Sequence, residues 1–482
     1  MDETRHPATL TTVPSANEVQ TVNNSSESPL VVVANRLPVQ APARGRGPWT
    51  RSPGGLADAL HNTLVDRGGV WIGWPGGRQT IGLPKDLGYG LQPVALDAGD
   101  LRGYYDGFSN ATLWPLYHDV IRQPVYHRAW WHDYERVNAR FADAVAATAA
   151  PNAAVWIHDY HLQLVPALVR ERRPDLRIGF FLHIPFPPAD LFARLPWREE
   201  LLDGVAGADL VGFQTPRDAD NFCEAEARFA NATRPSYLRS STNDKHIAAF
   251  PVSIDFEHWN EIAHLPEVEK RVAELREQLG NPRAVLLGVD RLDYTKGIEQ
   301  RLHAFRELLT EGRLAVPDAV LVQVASPSRD RVSAYRNERG RIEQLVGEIN
   351  GDFARVGTPA VHYIHQPLEP VEVAPLYRAA DVMLVTPIRD GMNLVAKEFV
   401  ASRYADHGVL VLSEFAGAAH ELTDALLINP HDIEGIKRAI LTALSLPEVE
   451  TIRRMRALRT TVKNHTVFDW AKRFLDALAL AG

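Results

Sequence analysis

Ala284-Val285-Leu286-Leu287-Gly288-Val289-Asp290-Arg291-Leu292-Asp293-Tyr294-Thr295-Lys296-Gly297 decides the fold class. The first six residues are apolar without alternation, which suits a strand covered on both faces, as in a parallel sheet. The run then breaks into Asp290, Arg291, Asp293 and Lys296, and Gly297 opens a helical pattern. A strand that ends in charge and turns at once into a helix is half of a βαβ unit. In doubly wound sheets, ligands sit beyond such strand ends.

The same format recurs downstream at 319–325, 361–364, 382–386 and 409–412, and upstream at 30–34, 154–157, 177–182, 209–213 and 247–250. Helical patterns lie between most of these runs. This alternation predicts an α/β protein with two Rossmann-like parallel-sheet domains facing a deep cleft. The 482 residues exceed what one ordinary core holds. A polar helical stretch at 265–279 and Asn281-Pro282 interrupt the series. We therefore expect an N-terminal domain at 30–254 and a C-terminal domain at 255–454, with the last helix, about 455–482, packing back on the first. Residues 1–29 are rich in Thr, Ser, Asn, Glu and Pro and hold no apolar run, so they read as a disordered tail, not a signal peptide.

Composition excludes several function classes. With 52 basic and 60 acidic side chains the net charge is −8, which gives no reason to expect a nucleic-acid partner. No run of about 18 apolar residues suggests a membrane span, and a cytoplasmic location is expected. Cys223 is the only cysteine, so intrachain disulfides are excluded, and it reads as a small buried apolar side chain. A Pro-, Gly- and Arg-rich loop from Pro42 to Pro53 leads to Gly54-Gly55, which opens a helix to about Asp66. That glycine pair lacks the spacing of a dinucleotide fingerprint, which argues against an NAD or FAD enzyme. It reads instead as a loop whose backbone closes over a departing diphosphate, or as a plain helix-start turn.

Polar residues stand at strand end after strand end: Asn35-Arg36, the run from His158 to His161, His183, the Asp290–Gly297 loop, Arg329, and Arg389 to Asn393. Arg291 and Lys296 on a tight loop before a helix start suit a diphosphate, although they also fit a solvated surface pair. Arg36 and Arg329 are then free for a second phosphate. Asp390 and Glu398 can reach sugar hydroxyls and a ribose, can act as the carboxylate pair of a glycosidase, or can simply cap a helix. His183, beside prolines, is either a site residue or a core histidine satisfied by a carbonyl. His158, Asp159 and His161 have no further ligand at recognisable spacing, so no metal site is expected. Trp71, Trp74, Tyr104, Tyr105, Trp114, Trp130 and Trp131 supply core, and on loops a platform for a sugar ring.

These motifs resemble those of the trehalose-6-phosphate synthases, retaining glycosyltransferases of family 20. The matching stretches are Ala34-Asn-Arg36, Trp71-Ile-Gly-Trp74, Tyr104-Tyr105 with Trp114-Pro, His158-Asp-Tyr-His161, Leu182-His-Ile-Pro-Phe-Pro187, Arg291 to Gly297 and Asp390 to Glu398. The resemblance runs from residue 30 to the end and implies a GT-B fold. It implies a nucleotide-sugar donor, UDP-glucose or alternatively ADP- or GDP-glucose, and glucose 6-phosphate as acceptor, with no metal or other cofactor required. By motif, Arg291, Lys296 and Glu398 hold the diphosphate and ribose, helped by the backbone at Gly55, Leu394 and Val395. Asp159, His183, Asp390, Gly391, Met392 and Asn393 hold the transferred glucose. Arg36, Trp74, Tyr105, Trp114 and Arg329 hold the acceptor and its phosphate, with Trp71 a near alternative to Trp74. Asp159, His183, Arg291, Lys296 and Asp390 form the implied catalytic set, and a homo-oligomer, dimer or tetramer, is implied. Arg44 to Gly47 match no motif. The rival readings are a GT-B relative making another product, a catalytically silent sugar-phosphate sensor and, more distantly, an NAD dehydrogenase.

Overall fold

The computed structural model describes residues 28–40, 49–51, 55–77, 83–84, 86–230, 246–329 and 331–481. The first 27 residues, the 44–47 loop and Gly54 lie outside them. Fifteen strands follow in chain order: β1 (Ser28–Arg36), β2 (Val39–Gln40), β3 (Thr50–Arg51), β4 (Val70–Trp74), β5 (Gly90–Pro93), β6 (Ala149–His158), β7 (Arg177–Phe181), β8 (Leu210–Phe213), β9 (His246–Ala249), β10 (Ala284–Arg291), β11 (Ala319–Ser326), β12 (Val361–Ile364), β13 (Val382–Val385), β14 (Val409–Ser413) and β15 (Leu426–Ile428). β2 and β3 form a short antiparallel hairpin. The others make two parallel sheets, ordered β5-β4-β1-β6-β7-β8-β9 and β12-β11-β10-β13-β14-β15.

Apolar runs make these strands because helices cover both faces. Val31, Val32 and Val33 are fully buried, and β10 is buried along its length until Arg291 emerges at its end. The order of each sheet reverses once, between β1 and β6 in the first and between β10 and β13 in the second. Such switch points open crevices at the carboxyl ends of the strands. Here β1 and β6 lead to Arg36 and Asp159, while β10 and β13 lead to Lys296 and Asp390.

The chain crosses between the sheets twice. Val252 belongs to the first core and Ile254 to the second. Helix Glu448–Asn464 still packs Met455, Leu458 and Val462 into the second core. The return therefore falls at 465–466, ten residues later than the sequence suggests, because one apolar stripe holds that helix to its own domain. The last helix, Val467–Leu480, starts on a capping box of Thr466 and Asp469. It lies on the first sheet, with Phe474 stacked on Trp156 at 4.6 Å and Trp470 4.9 Å from the same indole. Gly179 and Gly212 floor its groove, since a Cβ on either would come within 2.7 Å of Phe474. The two crossings touch, the Val467 amide donating to the Ile254 carbonyl at 3.0 Å.

Cys223 corrects a reading of the sequence. Helix Pro216–Phe229 buries Ala219, Phe222 and Ala225, and Cys223 sits just off that face, exposed. Among the described residues, no helix is long and apolar enough to cross a membrane.

Candidate active site

Parallel register sets the first pole of the cleft. β1 pairs with β4 so that Arg36 lies beside Trp74, and the guanidinium stands 4.6 Å from the Trp74 ring and 6.0 Å from Tyr105. Trp71 has the opposite parity, enters the core beneath the last helix, and donates its indole N–H to the Arg36 carbonyl at 3.0 Å. A wide π-helix, Leu101–Leu113, runs into a short helical turn, Trp114–Tyr117, and delivers Tyr104, Tyr105 and Trp114. π-type turns are rare and concentrate at functional sites. The Tyr104 hydroxyl anchors this segment on Asn35 Oδ1 at 2.8 Å, and Tyr105 stacks on His161. Burial pushes the Tyr105 phenol up, but Arg329, Arg36 and Arg291 outweigh it, and the net shift is downward.

Arg329 reaches this pole from the second domain. β10 and β11 pair Arg291 with Ser326, so the loop after β11 starts level with the end of β10. The Arg329 guanidinium lies 3.7 Å from the Trp114 ring, donating to Asp293 at 3.2 Å, to the Tyr160 hydroxyl at 3.1 Å and to the Tyr335 hydroxyl. Burial raises the Asp293 carboxyl, yet Arg329, Arg291 and Lys296 hold it below its ordinary range, so it stays ionised. Arg291 extends over the same indole at 5.7 Å.

The second pole is organised around an ion pair. Lys296 Nζ lies 2.5 Å from Asp390 Oδ2, both side chains nearly buried. Asp390 also accepts from the Met392 amide at 3.3 Å and from Asn393 Nδ2 at 3.0 Å. Asn393, in the left-handed region, caps helix Leu394–Ser402 through the Ala396 amide. Leu394 and Val395 open that helix, where first-turn amides lack intrahelical acceptors. Glu398, one turn on, accepts from the Tyr377 hydroxyl at 2.9 Å. Buried Arg301 braces the Lys296 loop by donating to the Lys296 carbonyl at 2.9 Å while paired with Asp290 at 2.7 Å. Gly297 turns there at φ +61°, and a Cβ would fall 1.9 Å from the Thr386 carbonyl.

Asp159 and His183 stand between the poles. β6 and β7 pair His158 with Phe181, so the next residues meet: the Asp159 amide donates to the Phe181 carbonyl at 2.8 Å, and the His183 amide to Asp159 Oδ1 at 3.3 Å. Asp159 is held at φ +76° and ψ +167°, a region left almost wholly to glycine and found at functional sites. Burial raises its carboxyl to about 6 against the two backbone amides. His183 is not satisfied by a carbonyl. Its Nε2 faces His158 Nδ1 at 3.0 Å, and burial draws it down to about 3, so the ring is neutral. Gly391 packs directly on this point from the other domain, since a Cβ there would lie 2.3 Å from the His183 carbonyl oxygen. His158 is turned toward His183, and His161 stacks on Tyr105 with its Nδ1 3.8 Å from Asp159 Oδ2.

Residues 28–480 match glycosyltransferase family 20. The chain belongs to this family. It is 52% identical over 474 residues to the trehalose-6-phosphate synthase of Mycolicibacterium gilvum, covering 94% of each chain. A Burkholderia xenovorans alpha,alpha-trehalose-phosphate synthase (UDP-forming), solved in complex with glucose-6-phosphate, is 36% identical at a TM-score of 0.84, covering 94% of this chain and all of that one. A trehalose-6-phosphate synthase solved with bisubstrate glycomimetics that address glycosyl transfer with retention is 35% identical at a TM-score of 0.83, covering 94% of this chain and 99% of the other.

In this family 20 glycosyltransferase of GT-B fold, most of the motif residues lie at the two poles of the cleft. Arg36, Trp74, Tyr105, Trp114 and Arg329 gather at one pole, and Lys296, Asp390 to Val395 and Glu398 at the other. Gly55 only begins helix Gly55–Arg67, with the turn before it outside the described residues. The partners of Arg329 are not legible in the sequence: Asp293 and Tyr160 lie inside strand-end motifs with nothing there to link them to it. Tyr335, on the polar helix Ser333–Phe353, gave no signal at all. Arg389, named in the sequence only as the start of a polar strand-end run, bridges the domains to Asp119 at 3.4 Å and Asp218 at 3.5 Å.

Proposed function

We propose that the chain transfers glucose from UDP-glucose to glucose 6-phosphate with retention, giving trehalose 6-phosphate and UDP. The observation that carries this is the pairing of two cationic poles across one cleft: Arg36 and Arg329 on aromatic faces, with Arg291 reaching over the same Trp114 ring as Arg329, and Lys296 beside a helix start. The Burkholderia xenovorans relative, UDP-forming and bound to glucose-6-phosphate, agrees with that pairing.

In this reading Arg36, Trp74, Tyr105, Trp114 and Arg329 grip the acceptor phosphate. Arg291, Lys296 and the amides of Leu394 and Val395 hold the diphosphate, and Glu398 the ribose. Asp159, Asp390 and the 391–393 backbone hold glucose hydroxyls. Retention needs either two inversions through a carboxylate or attack on the face that the leaving group vacates. Asp390 is engaged by Lys296, Asn393 and Met392, and Asp159 by the His183 amide, an arrangement that suits carboxylates receiving sugar hydroxyls more than a nucleophile beneath C1. We therefore assign same-face displacement. The acceptor oxygen bonds to C1 as the C1–O bond to phosphate breaks, and the acceptor proton passes to a phosphate oxygen of the departing UDP. Arg291 and Lys296 stabilise the charge that grows there. Two cations and a helix start supply the electrostatics, so the reading assigns no metal.

The test is a donor panel of UDP-, ADP- and GDP-glucose with glucose 6-phosphate, scoring nucleotide release and the anomeric linkage by NMR. Another product, or tight glucose 6-phosphate binding without turnover, overturns the reading. A glucosyl adduct on Asp159 or Asp390 after quenching with donor alone overturns the mechanism, and turnover lost in EDTA and restored by Mg²⁺ overturns the metal assignment.

A further inference from the structure

The Trp114–Tyr117 turn ends in a residue that no part of this scheme uses. The chain leaves that turn at His118, and Asp119 and Val120 then both adopt the left-handed region, at φ 54° and 56°. A β-branched residue there is strained, and such strain persists only where surroundings enforce it. The Val120 amide donates to the Pro115 carbonyl at 2.9 Å and the Ile121 amide to the His118 carbonyl at 3.2 Å, closing the turn. Asp119 meets Arg389 from the other domain, one residue before Asp390. The strained turn is thus held against the 389–393 loop.

The His118 ring is buried against Trp114, with centroids 4.2 Å apart, on the indole that also carries Arg329. Its Nδ1 lies 2.7 Å from the Trp114 carbonyl. A carbonyl only accepts, so Nδ1 holds the proton and Nε2 the lone pair. Burial draws the ring down to about 4, keeping it neutral, and the charges that act on it, Asp293, Asp390 and Lys296, come from the second domain. A phenyl ring would fill the same slot but offer no acceptor, whereas Nε2 here makes no hydrogen bond among the described residues and can accept from a donor that enters the cleft. Beside Lys296 and Asp390, the arriving group is the donor's sugar.

We infer that His118 is a further donor-sugar ligand, its Nε2 accepting a hydrogen bond from one hydroxyl of the transferred glucose. This rests on the cleft reading proposed above. The Lys296–Asp390 pair recognises by charge, whereas His118 adds a neutral, directional acceptor that selects for a hydroxyl at one ring position.

The experiment compares wild type with His118→Phe, which keeps the stack on Trp114 and removes the lone pair. Calorimetry measures UDP and UDP-glucose binding, and kinetics uses UDP-glucose and its 2-, 3-, 4- and 6-deoxy analogues. The variant should lose at least tenfold in affinity or kcat/KM for UDP-glucose while binding UDP within twofold of wild type. One deoxy donor, penalised in wild type, should carry no further penalty in the variant. His118→Leu takes the same measurements if the phenylalanine variant does not fold. Near-wild-type handling of UDP-glucose, equal loss of UDP and UDP-glucose binding, or unchanged deoxy penalties at every position each overturns the assignment. A wild type that binds UDP-glucose but does not turn it over overturns the proposed function instead, and the binding comparison still decides on His118.

Discussion

The two poles of the cleft are built on opposite plans. Around Arg329 everything is already in place: the guanidinium is clamped by Asp293, Tyr160 and Tyr335 and lies flat on Trp114. Around Lys296 the charges are spent on each other, because its ammonium is held by Asp390. On the assignment proposed above, the first pole is preorganised, so phosphate binding there costs little rearrangement. On the same assignment, the second exchanges an internal ion pair for contacts with the donor, and its cation becomes available as the donor arrives. One pole stores a binding site, and the other stores a switch in partners.

Breaking the second pole should have the largest effect. Lys296→Ala removes a cation placed where leaving-group charge develops and should lower kcat by roughly 10²–10³. Steady-state kinetics at saturating donor checks this, and an effect confined to KM would reduce Lys296 to a binding residue. Arg329→Ala should raise KM for glucose 6-phosphate by about 10- to 100-fold, from roughly 1.5–3 kcal/mol of lost charge-assisted contact, with UDP-glucose much less affected. It should also lower the melting temperature, because Asp293 is left buried without its partner. A drop in melting temperature with no change in KM would make Arg329 architectural. Gly391→Ala probes the seam between the poles. Its Cβ meets the His183 carbonyl, and overpacking of roughly 1–3 kcal/mol should fall on kcat/KM while UDP binding, assigned above to second-domain residues, persists. Equal loss of both would place the damage in the nucleotide site itself.

The smallest expected effect is on pH dependence. With its carboxyl raised to about 6 by burial, Asp159 is ionised at neutral pH and accepts hydroxyl hydrogen bonds. As pH falls through 6 it protonates and that capacity is lost, so kcat/KM should halve near pH 6 and decline further below it. Asp159→Asn should be slower throughout and lack this acid limb. A limb of unchanged shape in the variant assigns it to another group.

The sequence reveals this architecture unevenly, for physical reasons. Buried parallel strands announce themselves as apolar runs, and β10 and β11 were legible end to end. β5, with Gly90 and Pro93, and three-residue β15 carry no apolar run long enough to read, unlike the other two edge strands, β9 and β12. The π-helix at 101–113 contains Gly103 and Gly107, poor helix formers held by the core around Tyr104 and Phe108. In the cleft, single residues at strand ends could be named because topology puts them there. What they touch could not: Asp293 and Asp390 are both acidic neighbours of cations in sequence, yet only register and loop path decide that one serves Arg329 and the other Lys296.

The last helix carries a consequence for how the protein is made. Trp156, Phe181 and the groove floored by Gly179 and Gly212 receive their cover only from residues 467–480. At roughly 5–20 residues per second, a ribosome needs on the order of ten to fifty seconds after completing β8 to deliver that cover. Through this interval the nascent first domain shows a bare aromatic trough to the surrounding medium. A chain released before residue 467 would leave that trough uncovered.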